Sequence, residues 1–141
     1  MVRLPAIFRQ TINNSLHPGR EVTIGRDSLK IAADIRTISG ELLPLDNSFI
    51  PFDLLLKIGL AHLNNDDLTL KSLFASLPHS EMGIRYHFRR LLANGWIEVH
   101  TAPSDRRFKL VVPTSKLLDQ LTLLDQEFTK LMKQHLPRID E

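Results

Sequence analysis

The sequence predicts a mainly α-helical fold with one small β-hairpin. Between Phe49 and His135, apolar residues recur at helical spacing in four segments, and two short segments of strand-like alternation stand before the last of them. Of the 141 residues, 43% are hydrophobic, which is enough to build a core. The sequence contains no apolar run that is long enough to predict a membrane-spanning helix. The absence of cysteine excludes disulfides and zinc sites built on thiolates.

Residues 1–48 show the weakest periodicity, and we interpret them as an N-terminal arm and helix that is a candidate for dimerisation. His17-Pro18-Gly19 predicts a turn, and Glu21–Ile24 predicts a short strand or an extended arm. The stretch from Met1 to Gln10 lacks the apolar core of a signal peptide, so we expect a cytoplasmic protein. Asp27 is predicted to cap a helix that runs to about Leu43 and ends before Pro44. Its apolar side comprises Leu29, Ala32, Ala33, Ile35, Ile38 and Leu42.

Three further helices are predicted between Phe49 and Gly95. The first runs from Phe49 to Leu63 and is apolar on all sides, which is typical of a helix at the centre of a domain. Thr69 is predicted to cap a short helix that ends at Leu77, and Ser80 to cap a helix over about 81–94. Gly95 stands just past the end of that helix, as is common at helix C-termini. The inward stripe of the 81–94 helix is predicted to comprise Ile84, Phe88, Leu91 and Leu92.

A basic hairpin follows directly. Trp96–Thr101 and Arg107–Val112 alternate as strands around a turn at Ala102–Asp105, and Thr114 or Ser115 is predicted to cap a last helix to about His135. A short helix, a tight turn, a capped helix and then a hairpin is the order of a winged helix-turn-helix. We therefore predict a DNA-binding domain over 49–113, with its wing at about 101–107, and a dimerisation helix over 114–141.

The positive charge of the chain is concentrated in this region. The net charge of the whole chain is only +2, but residues 79–109 contain six Lys or Arg and three acidic residues. Such a concentration is typical of a surface that binds nucleic acid, although a solvated surface with a few extra arginines gives the same count.

The solvent side of the 81–94 helix supplies the candidate DNA contacts. The first turns of a recognition helix lie nearest the base edges, and the fork of Arg85 matches O6 and N7 of guanine. Arg89 and Arg90 lie further along the helix, where contacts with the DNA backbone are expected. In the hairpin, Arg106 and Arg107 are candidates for the phosphates or the minor groove. The full set of predicted DNA-binding residues is Ser80, Arg85, Tyr86, His87, Arg89, Arg90, Arg106 and Arg107.

The stretches LTLKSLFASLPHSEMGIRYHFRRLLANGWIEV and PSDRRFKLVVPTSKLLDQL resemble the helix-turn-helix and the wing of the MarR-like repressors. The resemblance covers about residues 50–133 and includes the Asp-x-Arg of Asp105 and Arg107. It implies a homodimeric transcriptional regulator, most often a repressor, that binds double-stranded DNA. It also implies that Asp105 pairs with an arginine and fixes the wing, and that a small-molecule effector of unknown identity can bind.

The last helix carries an apolar stripe at alternating spacings of four and three residues, the pattern of a coiled-coil seam. We predict that this stripe forms a homodimer, while packing onto its own domain is the alternative. The stripe comprises Leu117, Leu121, Leu124, Phe128 and Leu131.

Other classes of function find less support in the sequence. The six histidines show no ligand spacing for a metal, and we expect neither a metal nor another cofactor. No catalytic triad, phosphate-binding loop or carboxylate pair can be placed, so an enzyme is the least favoured class. A winged-helix module that binds another protein, and a DNA-binding factor of replication or of a mobile element, remain alternatives.

Overall fold

The computed structural model describes residues 10–13 and 21–135 and confirms a mainly helical winged-helix fold. The chain divides into two compact units, one from Ser39 to Asp125 and one made of the residues on either side. The turn predicted at His17–Gly19 and the stretch Met1–Arg9 lie outside the described residues. The elements in chain order are β1 (Gln10–Asn13), β2 (Glu21–Ile24), α1 (Arg26–Leu42), α2 (Phe49–Leu63), α3 (Leu70–Ser76), α4 (Glu81–Ala93), β3 (Ile97–Thr101), β4 (Lys109–Pro113) and α5 (Ser115–His135).

Strands β1 and β2 form an antiparallel hairpin in which Gln10 lies opposite Ile24 and Asn13 lies opposite Glu21. The strand predicted at Glu21–Ile24 is therefore confirmed. Strand β1 was not predicted, because four residues are too few to show a period of two.

Helix α1 begins at Arg26, two residues before the start that a cap at Asp27 predicts. Asp27 therefore lies in the first helical turn instead of at the cap, where its negative charge still suits the positive end of the helix. Along the predicted apolar side, Leu29, Ala32 and Ala33 are exposed in the single chain. The apolar period predicted the helix correctly, but this part of its apolar side is not covered.

Helix α2 contributes to the core of the Ser39–Asp125 unit, where it contacts α4 and β4. Its buried residues follow helical spacing and are Pro51, Leu54, Leu55, Ile58 and Gly59. The expectation that α2 is buried on all sides was wrong, because Phe49, Leu60 and Leu63 are exposed in the single chain.

The helix-turn-helix consists of α3, a short turn and α4. The Thr69 hydroxyl accepts a hydrogen bond from the Ser72 N–H (3.1 Å), and the Ser80 hydroxyl accepts one from the Gly83 N–H (3.1 Å), so both predicted caps are confirmed. Gly95 follows α4 with a φ of 77°, a left-handed conformation that favours glycine.

One face of α4 is buried, and it contains Ile84, Phe88 and Leu91. Leu92, predicted to belong to the same stripe, is 40% exposed, so that assignment was wrong. Successive residues are about 100° apart around a helix, which turns Leu92 out of the buried stripe that Leu91 completes.

The wing is an antiparallel hairpin in which Ile97 lies opposite Pro113 and Thr101 lies opposite Lys109. Strand β4 begins at Lys109, two residues later than predicted. The Phe108 N–H donates to the Asp105 carbonyl (3.1 Å), and this turn keeps Arg106 and Arg107 in the loop.

A short segment before α3 attaches the hairpin to the helix-turn-helix. The Val111 N–H donates to the Leu68 carbonyl (2.9 Å), and Thr69 forms a β-bridge with Leu110. The wing is thereby fixed to the start of α3 by backbone hydrogen bonds.

Helix α5 buries part of its apolar stripe within the single chain. Leu117, Leu124 and Leu131 are buried, whereas Leu121 and Phe128 are half-buried. A Cβ atom at Gly59 would lie only 2.9 Å from Leu121 Cδ1, so Leu121 packs closely against α2. The first half of the stripe therefore packs onto its own domain, and of the predicted dimerisation residues Leu121 and Phe128 keep the most surface for a partner.

The burial of α4 gives a test of its rotation. Phe88 is 6% exposed and its ring packs edge-to-face on Phe74, with the ring centroids 5.3 Å apart. Phe88→Ala should therefore lower the free energy of unfolding by about 3–5 kcal/mol, measured by chemical denaturation. Leu92→Ala is the matched control and should have a clearly smaller effect. Equal effects of the two substitutions would contradict the observed rotation of α4.

Candidate nucleic-acid interface

The side of α4 opposite its buried stripe is an open, slightly concave surface, which we call the α4 outer face. Its residues recur every three or four positions, so they form one strip along the helix. They are Met82, Arg85, Tyr86, Arg89, Arg90 and Ala93. Four of the predicted DNA-binding residues are therefore brought together on one surface.

Contacts with α2 hold the start of α4 in place. His79 Nε2, in the turn before α4, lies 2.6 Å from Asp53 Oδ2 on α2. A Cβ atom at Gly83 would come within 2.9 Å of Ile50 Cδ1, which shows how closely the first turn of α4 approaches α2. These contacts fix the end of α4 that carries Met82 and Arg85.

Arg85 is held by a carboxylate on its own helix. Its Nη2 and Nε atoms donate to Glu81 Oε1 over 2.7 and 3.2 Å, and both side chains are largely exposed. An exposed pair of this kind contributes little to stability. It does restrict the guanidinium orientation, and it leaves both Nη1 hydrogens and the second Nη2 hydrogen for other acceptors.

Arg90 is held at the other edge of the α4 outer face. Its Nη1 donates to the Tyr86 hydroxyl (3.0 Å), and its Nε lies 3.7 Å from Asp46 Oδ2. The hydrogen bond to Tyr86, followed by the negative charge of Asp46, raises the pKa of Arg90. Arg90 and Tyr86 therefore form one unit that positions both side chains.

In the wing, Asp105 and Arg107 form a bidentate ion pair. Arg107 Nη2 donates to Asp105 Oδ2 (2.7 Å), and Arg107 Nε donates to Oδ1 (3.0 Å). The Arg107 backbone N–H also donates to Asp105 Oδ1 (3.0 Å), which closes the loop. The Arg107 side chain, helped by this N–H, lowers the pKa of Asp105.

Arg89 and Arg106 differ from these three arginines. Both side chains are exposed, and within residues 10–13 and 21–135 neither forms an ion pair. They are the arginines of this region whose charge is least neutralised by the protein itself.

A groove of about 760 Å³ separates α4 from the wing. Its lining combines apolar and aromatic side chains with cationic ones and with the Glu81 carboxylate, and it includes both Arg85 of α4 and Arg107 of the wing. The apolar members are Leu70, Phe74, Ala75, Ile84 and Phe108, and the cationic ones are Lys71, Arg85, Arg107 and Lys109. Arg85 borders both this groove and the α4 outer face.

Three of the predicted DNA-binding residues, Ser80, His87 and Arg106, line neither of these surfaces. The Ser80 hydroxyl is engaged in capping α4. His87 is half-buried and lines a cavity of about 190 Å³ that borders the α4 outer face at Arg90.

Sequence reasoning missed three side chains of the interface. Met82 stands four residues before Tyr86, so helical spacing alone could have placed it on the α4 outer face. Lys71 and Lys109 reach the groove only because α3 and β4 pack together, and no local pattern indicates this.

In the part of the chain that the structure describes, no group of three His, Asp or Glu side chains lies close enough together to hold a metal ion. Within the same residues, no helix is both long and apolar enough to cross a membrane.

No protein-family model and no curated protein matches the chain. Solved structures do share its fold. A mutant of MepR from S. aureus bound to an oligodeoxyribonucleotide matches with a TM-score of 0.60 and 14% identity, covering 79% of this chain and 77% of that one. Wild-type apo MarR from E. coli matches with a TM-score of 0.51 and 24% identity, covering 82% and 87%. A transcriptional regulator from Thermotoga maritima matches with a TM-score of 0.51 and 15% identity, covering 77% and 74%.

The fold is the MarR-like winged helix. The likeness to these structures confirms the fold that the sequence predicted. At sequence identities of 14% and 24%, the likeness shows that the helices and strands are arranged in the same way, and nothing more.

The wing ion pair can be tested by titration. The Arg107 side chain and backbone N–H lower the pKa of Asp105. The ion pair therefore stabilises the loop at pH values above the ordinary pKa range of an aspartate. That stabilisation is lost as the pH falls through the lowered pKa. Carboxyl NMR should show Asp105 titrating below its usual range, and Arg107→Ala should return it toward that range. Arg106→Ala is the control and should leave the titration unchanged; an equal shift in both variants would contradict the pairing.

Proposed function

We propose that the protein is a sequence-specific, double-stranded DNA-binding transcriptional regulator. Helix α4 enters the major groove, and the wing lies on the backbone or in the minor groove beside it. The observation that carries the proposal is the α4 outer face, a strip of arginines with exposed apolar side chains on a helix whose opposite side is buried. The MepR mutant that shares the fold is bound to an oligodeoxyribonucleotide, which supports the same use of this fold here.

The contacts of the arginines suggest different roles for them. Arg85, oriented by Glu81 near the start of α4, is placed to donate to the O6 and N7 atoms of a guanine. Arg89 and Arg106, without ion-pair partners within residues 21–135, are free to neutralise phosphates. Arg107 fixes the conformation of the wing loop through its ion pair with Asp105, and it contacts DNA through the guanidinium hydrogens that Asp105 does not accept.

We also propose that the protein acts as a homodimer and represses transcription, as the resemblance to the MarR-like repressors implies. Two copies of α4 would then meet successive major grooves of a pseudo-palindromic site. The apolar surface left exposed on α1, at Leu29, Ala32 and Ala33, supports association with a second copy. A small-molecule effector remains part of the proposal, with no ligand chemistry assigned.

The roles of Arg106 and Arg85 predict two distinct binding signatures. Arg106→Ala should weaken binding to all duplexes alike and reduce the salt slope by about one unit per protomer, because one phosphate contact is lost. Arg85→Ala should weaken binding to the preferred duplex by about 1–3 kcal/mol per half-site and relax the preference at one base pair. The measurement is binding to preferred and scrambled duplexes over a salt series, after selection of the preferred site from random sequences.

Lys133→Ala is the matched control for that series, because Lys133 is an exposed cation on α5 that lies outside the apolar stripe of that helix. It should change neither the salt slope nor the base preference. A wild-type protein that binds no duplex at low salt would overturn the regulator proposal. That result would favour the alternative hypothesis, a winged-helix module that binds another protein.

The homodimer has its own test. Sedimentation equilibrium should give about twice the chain mass of 16.1 kDa. Phe128→Asp places a charge on a half-buried position of the α5 stripe and should shift the protein toward the monomer. Thr129→Asp, on the exposed neighbouring position, should leave the dimer intact. A Phe128→Asp protein that stays folded and dimeric would place the interface elsewhere.

A further inference from the structure

The exposure of the Met82 side chain is not explained by the packing of the fold. Its side chain is 82% exposed, the largest exposed fraction among the large hydrophobic side chains of the described residues. An apolar side chain that stays in water adds little to the stability of the free protein. Met82 lies in the first turn of α4, two residues after the N-cap at Ser80, where a recognition helix comes closest to the base edges.

The neighbours of Met82 on the α4 outer face are suited to reading bases. Arg85 and Tyr86 follow it by three and four residues, and Tyr86 is 52% exposed. In the major groove, the 5-methyl group of thymine is the apolar feature of the base edges. A methionine is flexible and polarisable, so it can adapt to such a small apolar group.

We infer that Met82 is a specificity-determining residue that contacts the 5-methyl group of a thymine. The inference rests on the proposed function, because it requires α4 in the major groove. Residues three apart on a helix have Cβ atoms about 5–6 Å apart, and successive base pairs are about 3.4 Å apart. The thymine therefore lies within about two base pairs of the base that Arg85 contacts.

Deoxyuridine provides a direct test, because it pairs like thymidine and lacks only the methyl group. The duplex selected by the wild-type protein from random sequences is remade with each thymidine replaced in turn by deoxyuridine. At one position in each copy of the recognised sequence, the replacement should weaken wild-type binding about fourfold, the effect of one apolar carbon removed from water. Met82→Ala should bind the thymidine duplex about as weakly and should no longer distinguish the two duplexes.

Leu123→Ala is the matched control, because Leu123 is an exposed apolar residue on α5, 45% accessible to solvent and outside the apolar stripe of that helix. It should distinguish the two duplexes as the wild type does. The inference is overturned if deoxyuridine has no effect on the wild type, if the selected site has no thymine near the Arg85 base pair, or if Met82→Ala keeps the wild-type discrimination. Each of these results leaves the regulator proposal standing, whereas failure to bind any duplex would overturn both.

Discussion

The packing of α4 against the core is the interaction on which the remaining features depend. Ile84, Phe88 and Leu91 bury one side of the helix, and α2 holds its first turn through the Asp53–His79 contact and the close approach at Gly83. A helix fixed in rotation on one side must present the opposite side to solvent. The positions of Met82, Arg85 and Arg89 follow from this apolar packing.

The surface formed by α4 and the wing carries less net positive charge than a count of its arginines indicates. Arg85, Arg90 and Arg107 each lie beside a carboxylate of the same chain, at Glu81, Asp46 and Asp105. In exposed positions such pairs are worth little to stability, so their main effect is to orient the guanidinium groups and to reduce the net positive charge. A surface of this kind favours directed contacts over indiscriminate attraction to phosphate.

The single chain leaves apolar surface uncovered on α1 and α2 as well as on α4 and α5. Leu29, Phe49, Leu60 and Leu63 are exposed although their helices are predicted from apolar periodicity. Three of the five residues of the α5 stripe, Leu117, Leu124 and Leu131, are buried within the chain itself. The heptad-like spacing of α5 therefore reflects packing onto its own domain as well as any partner, since both uses require the same period.

The sequence by itself determined the features that depend on local interactions. The helix period, the caps at Thr69 and Ser80, the glycine after α4 and the order of the elements are all encoded within a few neighbouring residues, and the predicted winged helix followed from them. The resemblance implied that Asp105 pairs with an arginine, and the structure shows that this arginine is Arg107, two residues further along the chain. Tertiary structure alone decided which faces are covered. Leu92 is exposed, α2 is buried on one side only, and Lys71 and Lys109 meet at one groove, because burial depends on elements far apart in the chain. A periodic pattern shows that a helix has an apolar side, but only the packed neighbours decide which side chains they cover.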